Sequence, residues 1–361
     1  MSAFEPMIAH GSGPFPARSR RALRARLTPH IGAACRSLSL GGPVGIRPVE
    51  YGTHHLVWRV TTRSGVYAFR AAAATSRQTA AVRRRREALW RHVAQGGIGP
   101  GFHGSLRIKD PHFDGWLEAF GWLPGRHLNP SRDTVAVAEC LARLHALPLP
   151  TKPIAAPRVD LPELLRQRLD YYSLHTASGR LSAVLRQAAD TARARLHEAG
   201  PLRARPALVH NDLVAANVLV GPQRAWLIDW DWALISQPTV DLFCFLSPFV
   251  RSWGDRPRFL SPRSVRAFLT AYAAGRGEDR VRQLINEGLA YWVPYNVVIA
   301  LWLAVDAPSR PHTRRASFQT RALAECEAIG ALLAGFKPGA TGDDAALGEP
   351  DFSLRVRRKK G

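Results

Sequence analysis

The chain has 361 residues, a hydrophobic fraction of 46% and a formal net charge of +22. This length exceeds one average domain, and the hydrophobic fraction predicts well-formed buried cores. No apolar run approaches the roughly 18 residues needed to cross a bilayer, so the composition excludes an integral membrane protein built from helices.

The positive charge comes mostly from arginine, which supplies 45 of the 50 Lys and Arg side chains. A strongly basic surface can bind nucleic acid without sequence preference. No nucleic-acid-binding motif accompanies the charge, and the arginines are spread along predicted helices as well as the tails. We therefore expect no specific nucleic-acid partner. The charge could also steer anionic ligands toward the protein.

The cysteines and the two ends of the chain indicate the cellular location of the protein and the extent of its folded part. Four cysteines are scattered without the spacing of a metal site. The amino-terminal segment lacks the continuous apolar stretch of a signal peptide, so we expect a cytoplasmic protein. Residues 1–20 and 338–361 are rich in Gly, Pro, Arg or small residues without a sustained period, and both are expected to be disordered tails.

The first third of the chain predicts short strands and one main helix. A turn at residues 52–53 precedes the alternating residues 55–60, and a second turn precedes residues 66–70. Residues 83–94 have apolar positions at helical spacing. Residues 116–125 predict a strand followed by a turn.

The remainder of the chain is mainly helical in its hydrophobic pattern. The predicted helices span residues 133–147, 161–174, 181–197, 264–274, 281–293, 295–305 and 315–336. Between the third and the fourth of these helices lies the most specific pattern of the sequence.

That pattern occupies residues 208–241. His210, Asp212 and Asn217 stand in the order and spacing of a kinase catalytic loop. A short predicted hairpin, closed by a Gly-Pro turn, then leads to Asp229. The hairpin would return the chain beside the loop, so we expect these side chains to converge.

The residue types suit phosphoryl transfer, in which a protein mainly positions the reactants and neutralises charge. A carboxylate beside the attacking hydroxyl can orient it and accept its proton, and Asp212 is the candidate. Mg²⁺ prefers oxygen ligands, usually one or two carboxylates with phosphate oxygens. Asn217 and Asp229 are the candidate ligands.

The segments VHNDLVAANVLV, LIDWDWA and PTVDLFCF resemble the aminoglycoside phosphotransferase, choline kinase and thiamine kinase superfamily, nearest its choline and thiamine kinase branch. The resemblance implies an α+β, bilobal protein-kinase-like fold. Residues 21–124 would form a small β-rich nucleotide-binding lobe. Residues 125–337 would form a larger, mainly helical lobe for catalysis and acceptor binding.

The resemblance also implies a role for each residue of the loop. Asp212 would be the catalytic base, and Asn217 and Asp229 would hold Mg²⁺. His210 would be a structural brace of the loop. Asp241 would support the catalytic loop without contacting the substrates.

On the nucleotide side, the resemblance places a loop over the phosphates of ATP. Gly52 and Thr53 would form its turn, with His55 where the family usually has asparagine. Arg70 falls at the position of the phosphate-binding lysine of many kinases. Glu87 is the implied helix partner of Arg70, although it could simply neutralise its arginine neighbours.

The same resemblance suggests contacts for the adenine and for the acceptor. Glu118 and Phe120 would lie on the hinge strand beside the adenine. Asp231 and Asp306 could add negative charge for a cationic acceptor. Trp302 could contact the acceptor or could be core packing.

The predicted function is ATP- and Mg²⁺-dependent transfer of a phosphoryl group to a hydroxyl of a small molecule. Choline-, thiamine- and aminoglycoside-like amino alcohols are the candidate acceptors. A catalytically weak, kinase-like nucleotide-binding protein is the first alternative. A basic nucleic-acid-binding protein is the second. The sequence does not predict an oligomeric state.

Overall fold

The computed structural model describes residues 17–49, 55–73, 80–111, 113–151, 153–173, 183–248, 260–305 and 315–336. A β-sheet with two helices forms the amino-terminal part, and helices dominate the remainder. The predicted α+β fold with a β-rich part and a larger helical part is confirmed. None of the described helices has the length and apolar character needed to cross a membrane.

Five antiparallel strands form the amino-terminal sheet in the order β1-β2-β3-β5-β4. Their ranges are β1 Pro43–Val49, β2 Leu56–Thr62, β3 Val66–Ala73, β4 Phe102–Asp110 and β5 Phe113–Gly121. Successive side chains of a strand point to opposite faces. Tyr67, Phe69 and Ala71 are buried in the hydrophobic cluster on one face, so Arg70 projects from the other.

Helix α1, Ala17–Ser37, covers that apolar face. Leu23, Leu27 and Ile31 are buried against the sheet, and their spacing of four residues forms one helical stripe. The helix begins at Ala17, inside the stretch that was expected to be a disordered tail. Residues 1–16 and 337–361 lie outside the described residues.

Helix α2, Ala80–Gln95, belongs to the other side of the sheet. Leu89, Trp90 and Val93 join the large core that the helical part of the chain builds. Arg83 and Arg86 are also buried. They lie at helical spacing with Trp90 and Val93, so α2 turns two arginines inward.

Seven helices of eight residues or more lie in the described carboxy-terminal part. They are α3 Thr134–Ala146, α4 Leu161–Ser173, α5 Ala183–Glu198, α6 Thr239–Leu246, α7 Pro262–Arg276, α8 Glu278–Val305 and α9 Arg315–Ala334. The sequence predicted separate helices on either side of Pro294, but α8 runs through it. Buried residues on both sides, among them Trp292 and Val297, hold the helix together by packing, which outweighs the lost backbone bond.

Five short strands frame the segment 207–236. β7 Ala207–Val209 pairs with β10 Leu234–Ser236, and β8 Val218–Val220 pairs with β9 Ala225–Leu227 and with β6 Arg126–His127. The predicted hairpin is therefore present. Gly221 is needed at its turn, because an added Cβ would lie 2.7 Å from the Trp226 ring and 2.9 Å from the Pro124 carbonyl oxygen.

Candidate active site

The loop of residues 210–217 follows β7 and is fixed by a fully buried carboxylate. Asp241, in the first turn of α6, accepts hydrogen bonds from the backbone N–H of His210 at 2.8 Å and of Asn211 at 2.7 Å. Asn211 has φ of 61°, a left-handed conformation that Asn tolerates better than most residues. The carboxylate therefore holds a tight backbone turn directly ahead of Asp212.

His210 connects the loop to the hairpin. Its Nε2 lies 3.0 Å from the Ile228 carbonyl oxygen, and its Nδ1 lies 3.3 Å from the backbone N–H of Asp212. The two contacts require Nε2 to donate and Nδ1 to accept, which fits the neutral imidazole. Burial lowers the pKa of His210 and favours that neutral form. Both ring nitrogens are thus used to hold backbone.

Asn217 is bonded to Asp212 and to the strand that carries Asp229. Its Nδ2 donates to the Asp212 backbone oxygen at 3.0 Å and to Asp212 Oδ2 at 2.8 Å. The backbone carbonyl oxygen of Asn217 accepts a hydrogen bond from the backbone N–H of Ile228 at 2.9 Å. Hydrogen bonds therefore join Asp212, Asn217 and the residue before Asp229 directly. The side-chain oxygen Oδ1 of Asn217 takes no part in these bonds.

Asp229 follows β9 with φ of 64°, in the left-handed region that side chains other than glycine rarely adopt. Such conformations persist where the surroundings over-determine them, and they cluster at functional sites. Its side chain is 30% exposed and lies 3.0 Å from Arg70 Nη1 and 3.8 Å from His55 Nε2. Asp229 thus presents a carboxylate that is partly open to solvent.

Arg70 brings the sheet into the same site. Its Nε donates to Glu118 Oε2 at 2.6 Å, its Nη1 to Asp229, and its Nη2 to Asp231 at 3.4 Å. Burial alone would lower the pKa of Arg70, but the carboxylates of Glu118, Asp231 and Asp229 together raise it. Arg70 is therefore a fully charged cation between the sheet and the hairpin.

The predicted pairing of Arg70 with Glu87 is wrong. Arg70 stands directly opposite Glu118 in the register of β3 and β5, and that register supplies its carboxylate. Glu87 instead accepts from Arg83 Nε at 3.2 Å and from the Ser105 hydroxyl at 2.6 Å. Helix α2 directs Arg83 toward the sheet, where Arg83 pairs with Glu118. The helix therefore contributes a cation to the site, whereas the prediction had it contribute the carboxylate of Glu87.

Glu118 is completely buried between two guanidinium groups. Arg70 donates to one carboxylate oxygen and Arg83 Nη1 to the other. Burial would raise the pKa of Glu118, but Arg70, Arg83 and Arg86 outweigh it and hold the pKa below its usual value. Glu118, on the strand predicted to run beside the adenine, thus has its side chain in an ion-pair network.

Phe120, the other residue predicted beside the adenine, packs against two aromatic rings. The ring centroids of Trp90 and Phe102 lie 5.1 Å and 5.4 Å away. A contact of this segment with adenine stays a prediction.

Asp231, predicted to add negative charge at the acceptor, lies beside a histidine and two arginines, and its contact with an acceptor stays a prediction. Its carboxylate lies 3.3 Å from His55 Nε2, 3.4 Å from Arg70 Nη2 and 3.7 Å from Arg86 Nη2. Burial would raise its pKa, but the charges of Arg86 and Arg70 outweigh it and hold the pKa well below the usual range. Asp231 thus joins Asp229 and Glu118 as a carboxylate partner of Arg70.

Two sets of atoms could hold a metal ion. Asp229 and Asn217 offer the oxygen donors that Mg²⁺ prefers, and both lie at the loop that contains Asp212. In addition, ligand atoms of His55, Asp229 and Asp231 all lie within 4.8 Å of one another. The donor chemistry of the first set fits Mg²⁺, and His55 brings one nitrogen next to it.

The other predicted acceptor and phosphate contacts are only partly described. Trp302 is partly buried and packs against the large core, and its contact with an acceptor stays a prediction. Gly52, Thr53 and Asp306 lie outside the described residues.

Arg83 and Arg86 are two further residues of the site that were not predicted from the sequence. Their spacing from Trp90 and Val93 would have placed both on the buried face of α2. The arginine excess of the whole chain hides this signal in the composition.

A profile of the phosphotransferase enzyme family matches residues 45–284. A choline/ethanolamine kinase family protein from Mesorhizobium loti aligns with a TM-score of 0.56 and 18% identity, over 85% of this chain and 98% of that one. An ethanolamine kinase from Plasmodium vivax aligns with a TM-score of 0.57 and 15% identity, over 89% and 98%.

A thermostable mutant of the aminoglycoside phosphotransferase APH(4)-Ia, solved with ADP and hygromycin B, aligns with a TM-score of 0.55 and 16% identity, over 84% and 98%. At these identities the likenesses show the fold, and they confirm the predicted kinase-like architecture. A search of curated proteins found no match.

Proposed function

The chain belongs to the phosphotransferase enzyme family, and we propose from that premise that it is a small-molecule kinase, which transfers the γ-phosphate of ATP to a hydroxyl group. The observation that carries the proposal is the convergence of Asp212, Asn217 and Asp229. Asn217 is bonded both to Asp212 and to the residue that precedes Asp229.

Asp212 is the proposed base. The hydroxyl oxygen of the acceptor attacks the γ-phosphorus, the bond to the β–γ bridging oxygen breaks, and ADP leaves. The hydroxyl proton passes to Asp212. The Asn217 amide, 2.8 Å from Asp212 Oδ2, fixes the orientation of that carboxylate. His210 does not compete as a base, because its two nitrogens hold backbone groups.

Arg70 and the metal ligands are proposed to hold the nucleotide. When bound by Asn217 and Asp229, Mg²⁺ would neutralise charge on the phosphate oxygens. Arg70 supplies a permanent positive charge beside Asp229, and a guanidinium suits phosphate oxygens. The APH(4)-Ia structure with ADP supports ATP as the phosphoryl donor. The choline/ethanolamine kinase and ethanolamine kinase neighbours support amino alcohols as the first acceptors to test.

The test is release of ADP from ATP and Mg²⁺ across a panel of choline, ethanolamine, thiamine, aminoglycosides, hydroxy amino acids and sugars. We expect acceptor-dependent turnover that Asp212→Asn abolishes. Asp114→Asn is the matched control, because Asp114 is exposed on β5 and pairs with Arg107. Acceptor-dependent turnover that survives in Asp212→Asn at a near-normal rate would reject Asp212 as the base.

A nucleotide-binding protein without turnover is a second candidate, favoured by one observation. The carboxylate of Asp229 is already 3.0 Å from Arg70 Nη1, so a protein cation stands where the metal must share that carboxylate. Binding of MgADP without turnover of any acceptor would support this candidate. Turnover would exclude it.

A further inference from the structure

A chain of three buried side chains lies behind the loop of residues 210–217. Tyr272 of α7, His145 of α3 and Asp241 of α6 contact one another in that order, and each is at most 3% exposed. The Tyr272 hydroxyl lies 2.8 Å from His145 Nδ1, and His145 Nε2 lies 3.1 Å from Asp241 Oδ2. The chain therefore connects two further helices to the carboxylate that holds the turn ahead of Asp212.

The partners of Asp241 determine which nitrogen of His145 carries a proton. Asp241 receives the backbone N–H groups of His210 and Asn211 at 2.8 and 2.7 Å. An ionised carboxylate can only accept hydrogen bonds. The third contact of this carboxylate must therefore be donated by Nε2 of His145.

The Tyr272 hydroxyl determines the state of the other nitrogen. Burial raises the pKa of Tyr272 above its ordinary value, so the phenol keeps its proton. Arg276, which also bonds to this hydroxyl, can only donate. Among the described residues, the hydrogen-bond acceptor offered to the hydroxyl is His145 Nδ1, and a buried Tyr O–H usually finds a partner. Nδ1 therefore accepts while Nε2 donates, which is one tautomer of the neutral imidazole.

A close approach of α3 and α7 holds the hydroxyl at the imidazole. A Cβ added to Gly275 would lie 2.7 Å from Ala142 Cβ, so the two helices require glycine at this point. Gly275 follows Tyr272 by three residues, and Ala142 precedes His145 by three. The two rings meet edge to face, with centroids 5.7 Å apart. The contact between them is thus set by the packing of two helices.

We propose that Tyr272 is a positioning residue of the proposed kinase. Its hydroxyl occupies Nδ1 of His145, so that His145 remains a neutral Nε2–H donor to Asp241. The inference rests on the proposed function and deepens it, because the carboxylate at the end of this chain holds the turn that precedes the proposed base.

Loss of the hydroxyl would act on the loop through the imidazole. The lone pair of Nδ1 would be buried without a donor, which is unfavourable. The ring could then rotate or take up a proton, and either change alters what Asp241 receives from His145. Asn211 is held at φ of 61° by the same carboxylate. The backbone turn at Asn211 is therefore the part of the loop that would relax, and Asp212 follows it directly.

The variant Tyr272→Phe removes the hydroxyl and keeps the ring. Turnover is measured with the acceptor that the unchanged protein uses best, and MgADP binding is measured by calorimetry. We expect kcat to fall by roughly 3- to 10-fold, the range for one lost hydrogen bond between neutral groups. MgADP affinity should stay within about twofold, because the nucleotide ligands are not part of the chain.

The matched control is Tyr291→Phe. Tyr291 is also buried, but its hydroxyl donates to the backbone carbonyl of Gly200, away from the loop. Its kcat should stay within about twofold of that of the unchanged protein. An unchanged kcat in Tyr272→Phe, or an equal loss in Tyr291→Phe, would overturn the inference.

A double-mutant cycle separates action through His145 from a general packing role. In the background of His145→Leu, addition of Tyr272→Phe should lower kcat no further. The double variant replaces both partners of the hydrogen bond by apolar groups, which is close to neutral for stability, so it should fold. Losses in kcat that simply add would show that Tyr272 acts independently of His145 and would reject the proposal.

The ring nitrogens of His145 give a readout that does not depend on turnover. In protein labelled with ¹⁵N-histidine, His145→Leu identifies the resonances of His145 among the 13 histidines. Nδ1 should appear as an unprotonated nitrogen and Nε2 as a protonated one. Tyr272→Phe should shift the Nδ1 resonance, and Tyr291→Phe should not.

The two readouts distinguish failure of the inference from failure of the proposed function. A protonated Nδ1 in the unchanged protein, or an Nδ1 resonance that Tyr272→Phe leaves in place, contradicts the hydrogen-bond chain. If the resonances are as expected but no acceptor is phosphorylated, the proposed function fails and the assignment of the chain stands.

Discussion

Replacement of Glu118 by glutamine tests the ion-pair network that orients Arg70. Glu118 is fully buried, with Arg70 Nε 2.6 Å from one carboxylate oxygen and Arg83 Nη1 bonded to the other. Glutamine keeps one acceptor and turns an amide N–H₂ toward a guanidinium. Loss of one partner from a buried ion pair costs about 3–5 kcal/mol. Denaturant unfolding of the Glu118→Gln variant should show a loss of that size.

A second variant separates stability from nucleotide binding. Glu118→Gln combined with Arg83→Gln removes one charge of each sign, so most of the lost stability should return. In this double variant Arg70 still lacks the carboxylate of Glu118. The affinity of the double variant for MgADP should therefore remain about tenfold below that of the unchanged protein, a difference of about 1.4 kcal/mol in binding free energy.

The controls use two other carboxylates. Asp114→Asn, on the same strand but exposed, should change stability by no more than about 0.5 kcal/mol. Glu87→Gln should alter MgADP affinity much less than the double variant, because Glu87 contacts Arg83 and Ser105 rather than Arg70. The reasoning is refuted if Glu87→Gln lowers the affinity tenfold and the Glu118 variants do not.

Three further predictions concern the same site. Asp212→Asn should lower kcat by roughly 10²–10⁴-fold, the range for loss of a positioned general base, and should leave MgADP affinity near normal in calorimetry; an unchanged kcat contradicts the base assignment. Asp229→Asn should abolish the dependence of ADP affinity on Mg²⁺, and an unaltered magnesium titration would exclude it as a ligand. The destabilisation by Glu118→Gln should be complete at neutral pH and shrink in acid. The folded-state pKa of Glu118 lies below the unfolded value, so its contribution is present above the unfolded pKa and lost as pH falls through the folded one; denaturant unfolding at several pH values measures this, and a destabilisation that grows in acid would reverse the sign.

The convergence of the loop of residues 210–217 with the hairpin could be predicted from the sequence because its determinants are local. His210, Asp212 and Asn217 lie within eight residues, and a hairpin of known spacing brings Asp229 back to them. The partners of Arg70 could not be predicted in the same way. Glu118 faces Arg70 only because β5 pairs with β3 in one register, and that register depends on the assembled sheet.

Helix α1 was not predicted because its composition hides its periodicity. Arginines surround Leu23 and Leu27, and the low mean hydropathy of the segment concealed a stripe that repeats every four residues. The apolar face of the helix is buried against the apolar face of the sheet. Periodicity, weighed separately from composition, would have detected it.

The choice of arginine at position 70 follows from the geometry of its partners. Three carboxylates, on Glu118, Asp229 and Asp231, surround it from three directions at 2.6, 3.0 and 3.4 Å. A guanidinium has a planar fork of donors that can address all three at once, whereas a lysine ammonium is a compact point charge on a flexible stem. Arg70 can therefore keep its bond to Glu118 through Nε while Nη1 and Nη2 face the hairpin. The strand glutamate fixes the orientation of the cation, and the two outer nitrogens remain directed at the place where the proposed function requires phosphate and metal.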